Sequence, residues 1–122
     1  MFNRGILVAS HGNFASGALM TAEMFVGETT NDRVRTLGLM PGENIVEFEH
    51  YFKNQVNELL DSNQEVIVLT DLIGGSPNNV ALSRFLNLDS VDIVTGFNIP
   101  LLVELISSYD SKINLEEIVQ VT

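Results

Sequence analysis

Apolar positions along the chain change their period several times, and each change marks a new element. Ile6-Leu7-Val8-Ala9 and Val66-Ile67-Val68-Leu69 are short, uninterrupted apolar runs, the pattern of strands covered on both faces of a parallel sheet. Val91-Asp92-Ile93-Val94-Thr95 reads as another strand, and Val34 to Met40 as one with Val34, Thr36 and Gly38 on one face. Between these runs the period lengthens. Ala15, Ala18, Leu19, Ala22, Phe25 and Val26 form the stripe of an amphipathic helix, with Gly27 placed to stop it. Ile45, Phe48, Phe52, Val56, Leu59 and Leu60 form a second stripe, opened by Asn44 with Glu47 three residues on, which resembles a capping box.

Three further helices follow the later strands. Ser76 is placed as an N-cap with Pro77 at the first helical position, ahead of Val80, Leu82, Phe85 and Leu86. Leu101, Leu102, Leu105 and Ile106 mark the next, and Asn114 to Val119 a last short one. The order β-α-β-α-β-α-β-α-α predicts an α/β fold, doubly wound, with a largely parallel four-stranded sheet and helices on both faces. Right-handed crossovers favour strand order 2-1-3-4, with the switch point between strands 1 and 3. No repeat or linker interrupts the pattern, so residues 1–122 read as a single domain, a length that suits one core.

Composition narrows the function classes. With 16 acidic against 6 basic residues the formal charge is −10, which argues against nucleic acid and anionic membranes and favours a basic protein partner. The absence of cysteine excludes disulfides, thiolate metal sites and cysteine nucleophiles. The first apolar run is too short for a signal-peptide core, and no segment is long enough to span a bilayer, so a cytoplasmic domain is expected. Neither cofactor nor metal is implied.

The candidate chemistry sits where strands end. Ser10-His11-Gly12 closes the first strand, and Asp71 follows the third, so the predicted order brings His11 and Asp71 together at the switch point. A lone histidine has an ordinary packing or solvent role as its default; an adjacent carboxylate changes that. It fixes one tautomer and leaves the other ring nitrogen free as nucleophile or base. The loop Gly74-Gly75-Ser76-Pro77 then supplies glycine amides and a helix N-terminus suited to an anion. This arrangement suits phosphoryl transfer to and from histidine. The loop lacks the lysine and the spacing of a nucleotide-binding P-loop. His50 falls about 140° from the centre of its helix stripe, taking helix geometry as a guide, and faces solvent.

Ser10-His11-Gly12, Thr21-Ala22-Glu23-Met24, Pro41-Gly42-Glu43-Asn44, Asp71 to Pro77, and Asn98-Ile99-Pro100 together resemble the IIA component of the mannose/fructose/sorbose-type phosphoenolpyruvate-dependent sugar phosphotransferase system. The resemblance runs over essentially the whole chain. It implies a cytoplasmic phosphocarrier that accepts a phosphoryl group from phospho-HPr on His11 and passes it to a IIB component, with the membrane IIC and IID components met only through IIB. It assigns Asp71 to orient His11 and Ser76, Gly74 and Gly75 to the phosphoryl group, with Gly12, Asn98 and Pro100 at the site's edge. Members often carry a further C-terminal segment that exchanges an edge strand across a dimer. This chain stops at Thr122, so a homodimer is an open expectation; Ile73 stands where an aromatic is common, a departure that touches packing or partner contact more than chemistry.

Two alternatives compete. The phosphocarrier subunit of phosphotransferase-dependent dihydroxyacetone kinase shares the fold and the N-terminal histidine. A hydrolase would use His11 and Asp71 with Ser76 as nucleophile, but the chain has no GxSxG elbow, and Ser76 already reads as a helix cap. A plain anion-binding module is the remaining reading.

Overall fold

The two apolar runs become the central strands of one parallel sheet because each is covered from both sides and has no polar face to turn to water. In the computed structural model, which describes residues 2–122, the strands are β1 (Arg4–His11), β2 (Val34–Leu39), β3 (Glu65–Thr70) and β4 (Val91–Thr95). Their order is β2-β1-β3-β4, all neighbours parallel, as the crossover argument predicts. The helices are α1 (Phe14–Val26), α2 (Ile45–Ser62), α3 (Ser76–Phe85), α4 (Ile99–Ser107) and α5 (Leu115–Val121).

The two faces of β1 divide the core. Ile6 and Val8 pack with α1 and α4, whereas Leu7 and Ala9 pack with α2 and α3. Phe48, Phe52 and Phe85 supply bulk on the second face, and Phe52 stacks on Phe85 at 5.9 Å between ring centres. Fully burying one such side chain contributes about 1.5–3 kcal/mol. Small residues do the work on the first face: Ala15, Ala18 and Ala22 let α1 lie close to the strands.

Asparagines start three helices. Asn44 Oδ1 accepts from the Val46 and Glu47 N–H groups at 2.8 and 3.2 Å, Asn98 Oδ1 from Leu101 N–H at 2.8 Å, and Asn114 Oδ1 from Glu117 N–H at 3.2 Å. Each such cap is worth about 1 kcal/mol. The Asn44 box is one-sided: among the described residues Glu47 makes no returning side-chain bond, and the turn before it is closed by Glu43, which accepts from Met40 N–H at 2.9 Å.

The structure corrects several sequence expectations. Phe25 is exposed rather than part of the α1 stripe, and Ile45 is largely exposed at the head of α2. In α3 the buried arc centres on Ala81, with Val80 and Phe85 beside it, which turns Leu82 and Leu86 toward solvent. Ser76 is not the N-cap of α3. Gly75 holds that position with extended backbone (φ −75°, ψ 160°), and its carbonyl accepts the first helical bond from Asn79 N–H at 2.9 Å. Ser76 becomes the first helical residue, so its hydroxyl is not used as a cap.

Candidate functional site

The parallel registers place the carboxyl ends of β1 and β3 side by side, since Ala9 is level with Thr70. His11 and Asp71 lie just beyond that rung. Asp71 Oδ2 accepts from both the His11 backbone N–H and the ring Nδ1, each at 2.9 Å. Leu72 N–H donates to the other oxygen at 3.1 Å. Burial, the largest influence, pushes the Asp71 carboxyl up; the bonds from His11 N–H and Nδ1 and from local backbone outweigh it and hold the group below its ordinary value. An ionised carboxylate only accepts hydrogen bonds, so Nδ1 carries a proton and the neutral ring has its lone pair on Nε2. The His11 side chain is 46% exposed while Asp71 is 10% exposed. The ring is therefore reachable from solvent and its partner is shielded.

Local backbone chemistry explains why the ring fits there. Gly12 turns the chain out of β1 at φ +57°, and its N–H donates to Leu39 O at 2.8 Å. The close approach at this corner is borne by Gly38 rather than Gly12, because a Cβ on Gly38 would fall on the Gly12 carbonyl oxygen. Leu72 to Gly75 form a tight turn, with Gly75 N–H on Leu72 O at 3.3 Å and Gly74 at φ +80°, the sign that favours glycine. Gly75 faces the imidazole: a Cβ there would stand 2.7 Å from His11 Cε1.

A cavity of about 390 Å³ opens beside the ring, lined by His11, Gly12, Ser76, Glu43 and the apolar side chains of Leu39, Met40 and Ile45 among others. Ser76 thus shares a cavity with His11, but no Ser76–His11 hydrogen bond forms among the described residues, and the nucleophile–base link a serine hydrolase needs is missing. Asn98 and Pro100 are not among the residues lining this cavity. Asn98 caps α4 and donates through Nδ2 to Thr122 O at 2.6 Å, and Pro100 is the second residue of α4. Their loop reaches the end of β3, where Thr70 O accepts from Gly96 N–H at 2.8 Å. Phe97 there stacks on the half-exposed Phe14 at 5.3 Å.

Two features of the corner escape a reading by motif. Buried Ser10 accepts from Ala15 N–H at 2.8 Å, doing for α1 what Asn13 does not. Buried Thr70 and Asn78 and half-buried Thr95 join their side chains beneath the head of α3. A serine and two threonines at strand ends, with an asparagine just inside a helix, were the available signal.

Residues 5–122 match the family described as PTS system fructose IIA component. The chain is 34% identical over 114 residues to the mannose-specific EIIAB component of Escherichia coli strain K12, covering 93% of this chain and 34% of that relative. It therefore spans about a third of that relative's length. It is 26% identical over 102 residues to the fructose-specific EIIA component of Bacillus subtilis, covering 84% of this chain and 68% of the relative. Among solved structures, a PTS IIA protein associated with the fucose utilization operon from Streptococcus pneumoniae is 98% identical, with TM-score 0.96 over 98% of this chain and 88% of that one. A phosphotransferase system component EIIA from Streptococcus agalactiae is 25% identical, with TM-score 0.78 over 96% of this chain and 87% of that one. With this fold, and a match over nearly its whole length, the chain belongs to the mannose/fructose-type EIIA family of the sugar phosphotransferase system.

Proposed function

We propose that this chain is a phosphocarrier that takes a phosphoryl group from phospho-HPr onto His11 Nε2 and gives it to a IIB component. The observation that carries the reading is the Nδ1–Asp71 bond at 2.9 Å on a ring left 46% exposed. The Nε2 lone pair attacks phosphorus, an N–P bond forms, and the donor's N–P bond breaks with its electron pair returning to the donor imidazole. The His11 ring gains positive charge as the bond forms, and the Asp71 carboxylate opposes that charge without taking the Nδ1 proton. Ser76 and the first-turn N–H groups of α3 face the incoming dianion, where fixed dipoles stabilise it. Gly74 and Gly75 give the backbone its close approach, with Gly12 at the edge. Asn98 and Pro100 act at most through the loop they anchor.

The partners proposed are HPr as donor and IIB as acceptor, with IIC and IID reached through IIB and no direct role for nucleic acid. A cytoplasmic location follows from that assignment; among the described residues no helix is long and apolar enough to cross a membrane. The apolar surround of the cavity, with Met40, Ile45, Leu72 and Ile73 exposed, supports protein docking over small-molecule binding. Among the described residues the β4 edge has no neighbouring strand on its outer side, which supports self-association into a homodimer. The fucose utilization operon named for the 98% identical protein supports a fucose-related carbohydrate as the cargo of the system served.

The test is incubation with phosphoenolpyruvate, enzyme I and HPr, followed by intact mass measurement. A single acid-labile, alkali-stable phosphoryl adduct that His11→Ala abolishes is expected. Labelling of His11→Ala, or an acid-stable adduct on Ser76, would name a different nucleophile.

A further inference from the structure

Asn78 is the third residue of α3 and is 2% exposed among Val80, Ala81 and Phe85. A buried amide in such a setting is costly unless it is hydrogen-bonded. Its Oδ1 accepts from Thr70 Oγ1 at 2.8 Å and from Thr95 Oγ1, and the two hydroxyls approach each other at 2.6 Å. Each hydroxyl has one proton to give, so when both donate to Asn78 the contact between them carries no hydrogen bond, and Asn78 Oδ1 is the atom that ties the two strand ends together. An aliphatic residue of similar volume would fill the same space without these bonds.

The position of the group is what gives it consequence. Thr70 is the last residue of β3 and immediately precedes Asp71; Thr95 is the last residue of β4. Both are level in the sheet register, on the face that α3 covers. Asn78 lies two residues after Ser76 in the same helical turn. The side chain of Thr70 thus holds the head of α3, while its carbonyl holds the Gly96 N–H. One buried knot joins the backbone that carries Asp71 to the turn that carries Ser76 and the free amides.

We propose that Asn78, acting with Thr70 and Thr95, is a positioning residue for phosphoryl transfer at His11, fixing the head of α3 relative to the His11–Asp71 pair. The proposal rests on the phosphocarrier reading above. Its physical basis is the steep geometric dependence of such a step: a displacement of about 1 Å arising away from the chemistry can cost about 10²-fold in rate. The docking surface is formed by other residues, so partner recognition is left intact.

The experiment measures phosphoryl uptake from phospho-HPr at a range of donor concentrations, for the unmodified chain and for Asn78→Leu, Thr95→Val and Thr70→Val. Thr95→Ser and Thr70→Ser keep the hydroxyl and serve as rescue variants. The maximal rate is expected to fall by about 10- to 100-fold in the Leu and Val variants, with the half-saturating donor concentration unchanged. The Ser variants should recover most of the rate. Thr95→Val, near-isosteric with the native threonine, and Thr95→Ser, which keeps the hydroxyl, carry the comparison if Asn78→Leu does not fold. Equal rates for Thr95→Val and the unmodified chain, or a loss that tracks only the folded fraction in circular dichroism, would overturn the proposal alone. Failure of the unmodified chain to label would remove the phosphocarrier reading and this proposal with it.

Discussion

A single oxygen of Asp71, Oδ2, takes two hydrogen bonds from His11, one from the backbone N–H and one from Nδ1. The pairing is more constraining than a side-chain contact alone. The backbone N–H cannot change its role, so whatever atom stands in the Oδ2 position must be an acceptor. That requirement extends to any residue substituted there.

Asp71→Asn is therefore expected to keep the ring tautomer. The amide can place either Oδ1 or Nδ2 toward His11. Nδ2 there would set two donors against each other at the backbone N–H, bonded at 2.9 Å, whereas Oδ1 there turns Nδ2 toward Leu72 N–H and gives up only that longer bond of 3.1 Å. With oxygen in place, Nδ1 still donates and Nε2 stays free; what is lost is the negative charge. Phosphoryl uptake should slow by about 10-fold, against the roughly 10⁴-fold loss when an orienting carboxylate's replacement selects the wrong tautomer. Asp71→Ala, which loses both roles, should be slower still. Nitrogen chemical shifts of the His11 ring check the tautomer directly, and an Nε2–H signal in Asp71→Asn would refute this account.

The same bonds give a pH dependence with a definite sign. Burial pushes the Asp71 carboxyl up, but the hydrogen bonds from His11 and local backbone hold it below its ordinary value. A depressed carboxylate stabilises the folded state fully above its unfolded value of about 4, and that contribution is lost as pH falls through the lower folded-state value. Unfolding free energy should thus be greater for the unmodified chain than for Asp71→Asn by a constant margin above about pH 5, and the two should converge below about pH 4. Denaturant titrations at several pH values measure the margin. A gap that widens with acid would mean that Asp71 is destabilised by its burial instead.

Ser76→Ala separates two roles for one hydroxyl. A serine that caps a helix costs about 1 kcal/mol on truncation. Ser76 instead follows the cap and makes no capping bond, so its loss should change stability by less than about 0.5 kcal/mol, the range of an uncommitted surface position. Asn44→Ala, which removes two cap bonds, should cost about 1 kcal/mol. Phosphoryl uptake should respond in the opposite order, falling in Ser76→Ala and holding in Asn44→Ala. Thermal unfolding and uptake rates on the two variants check both halves.

How much of this was legible beforehand varies with the kind of signal. Strands buried on both faces write themselves as apolar runs, and the β2-β1-β3-β4 order follows from handedness, so His11 and Asp71 could be brought together from sequence. Periodicity resolves direction but not depth. Phe25 lies only about 20° beyond Ala18 around the helix axis, by helix geometry. Alanine at that flank is covered, while a phenyl ring extends past its neighbours into water. The cap of α3 was misassigned by one residue because serine is favoured at a cap, whereas Gly75 is required there by the ring it faces. The Thr70–Asn78–Thr95 knot shows in the sequence only as polar residues at two strand ends and a helix start, since its three members come from different elements and meet only through the sheet register.

Two glycines near the site should fail in different ways when a methyl group is added. At Gly38 the new Cβ would meet the Gly12 carbonyl oxygen, which is backbone held by the β1–β2 pairing and by Gly12 N–H on Leu39 O. Nothing there can rotate aside, so Gly38→Ala must shift two strands' ends and should destabilise the protein by about 1–3 kcal/mol, the cost of overpacking. At Gly75 the backbone is already extended at φ −75°, a conformation alanine adopts freely, and restricting the unfolded chain favours folding by about 0.4–1 kcal/mol. The obstacle is the His11 ring, 2.7 Å from the new Cβ at Cε1. A half-exposed imidazole can swing outward, and doing so strains or breaks its bond to Asp71. Gly75→Ala is therefore expected to keep its melting temperature within a few degrees while phosphoryl uptake falls by about 10- to 100-fold, a loss set by misplacement of Nε2. Gly38→Ala should show the large drop in melting temperature. Thermal unfolding and uptake kinetics on both variants decide the matter: an active Gly75→Ala would show that the ring does not need the position seen here.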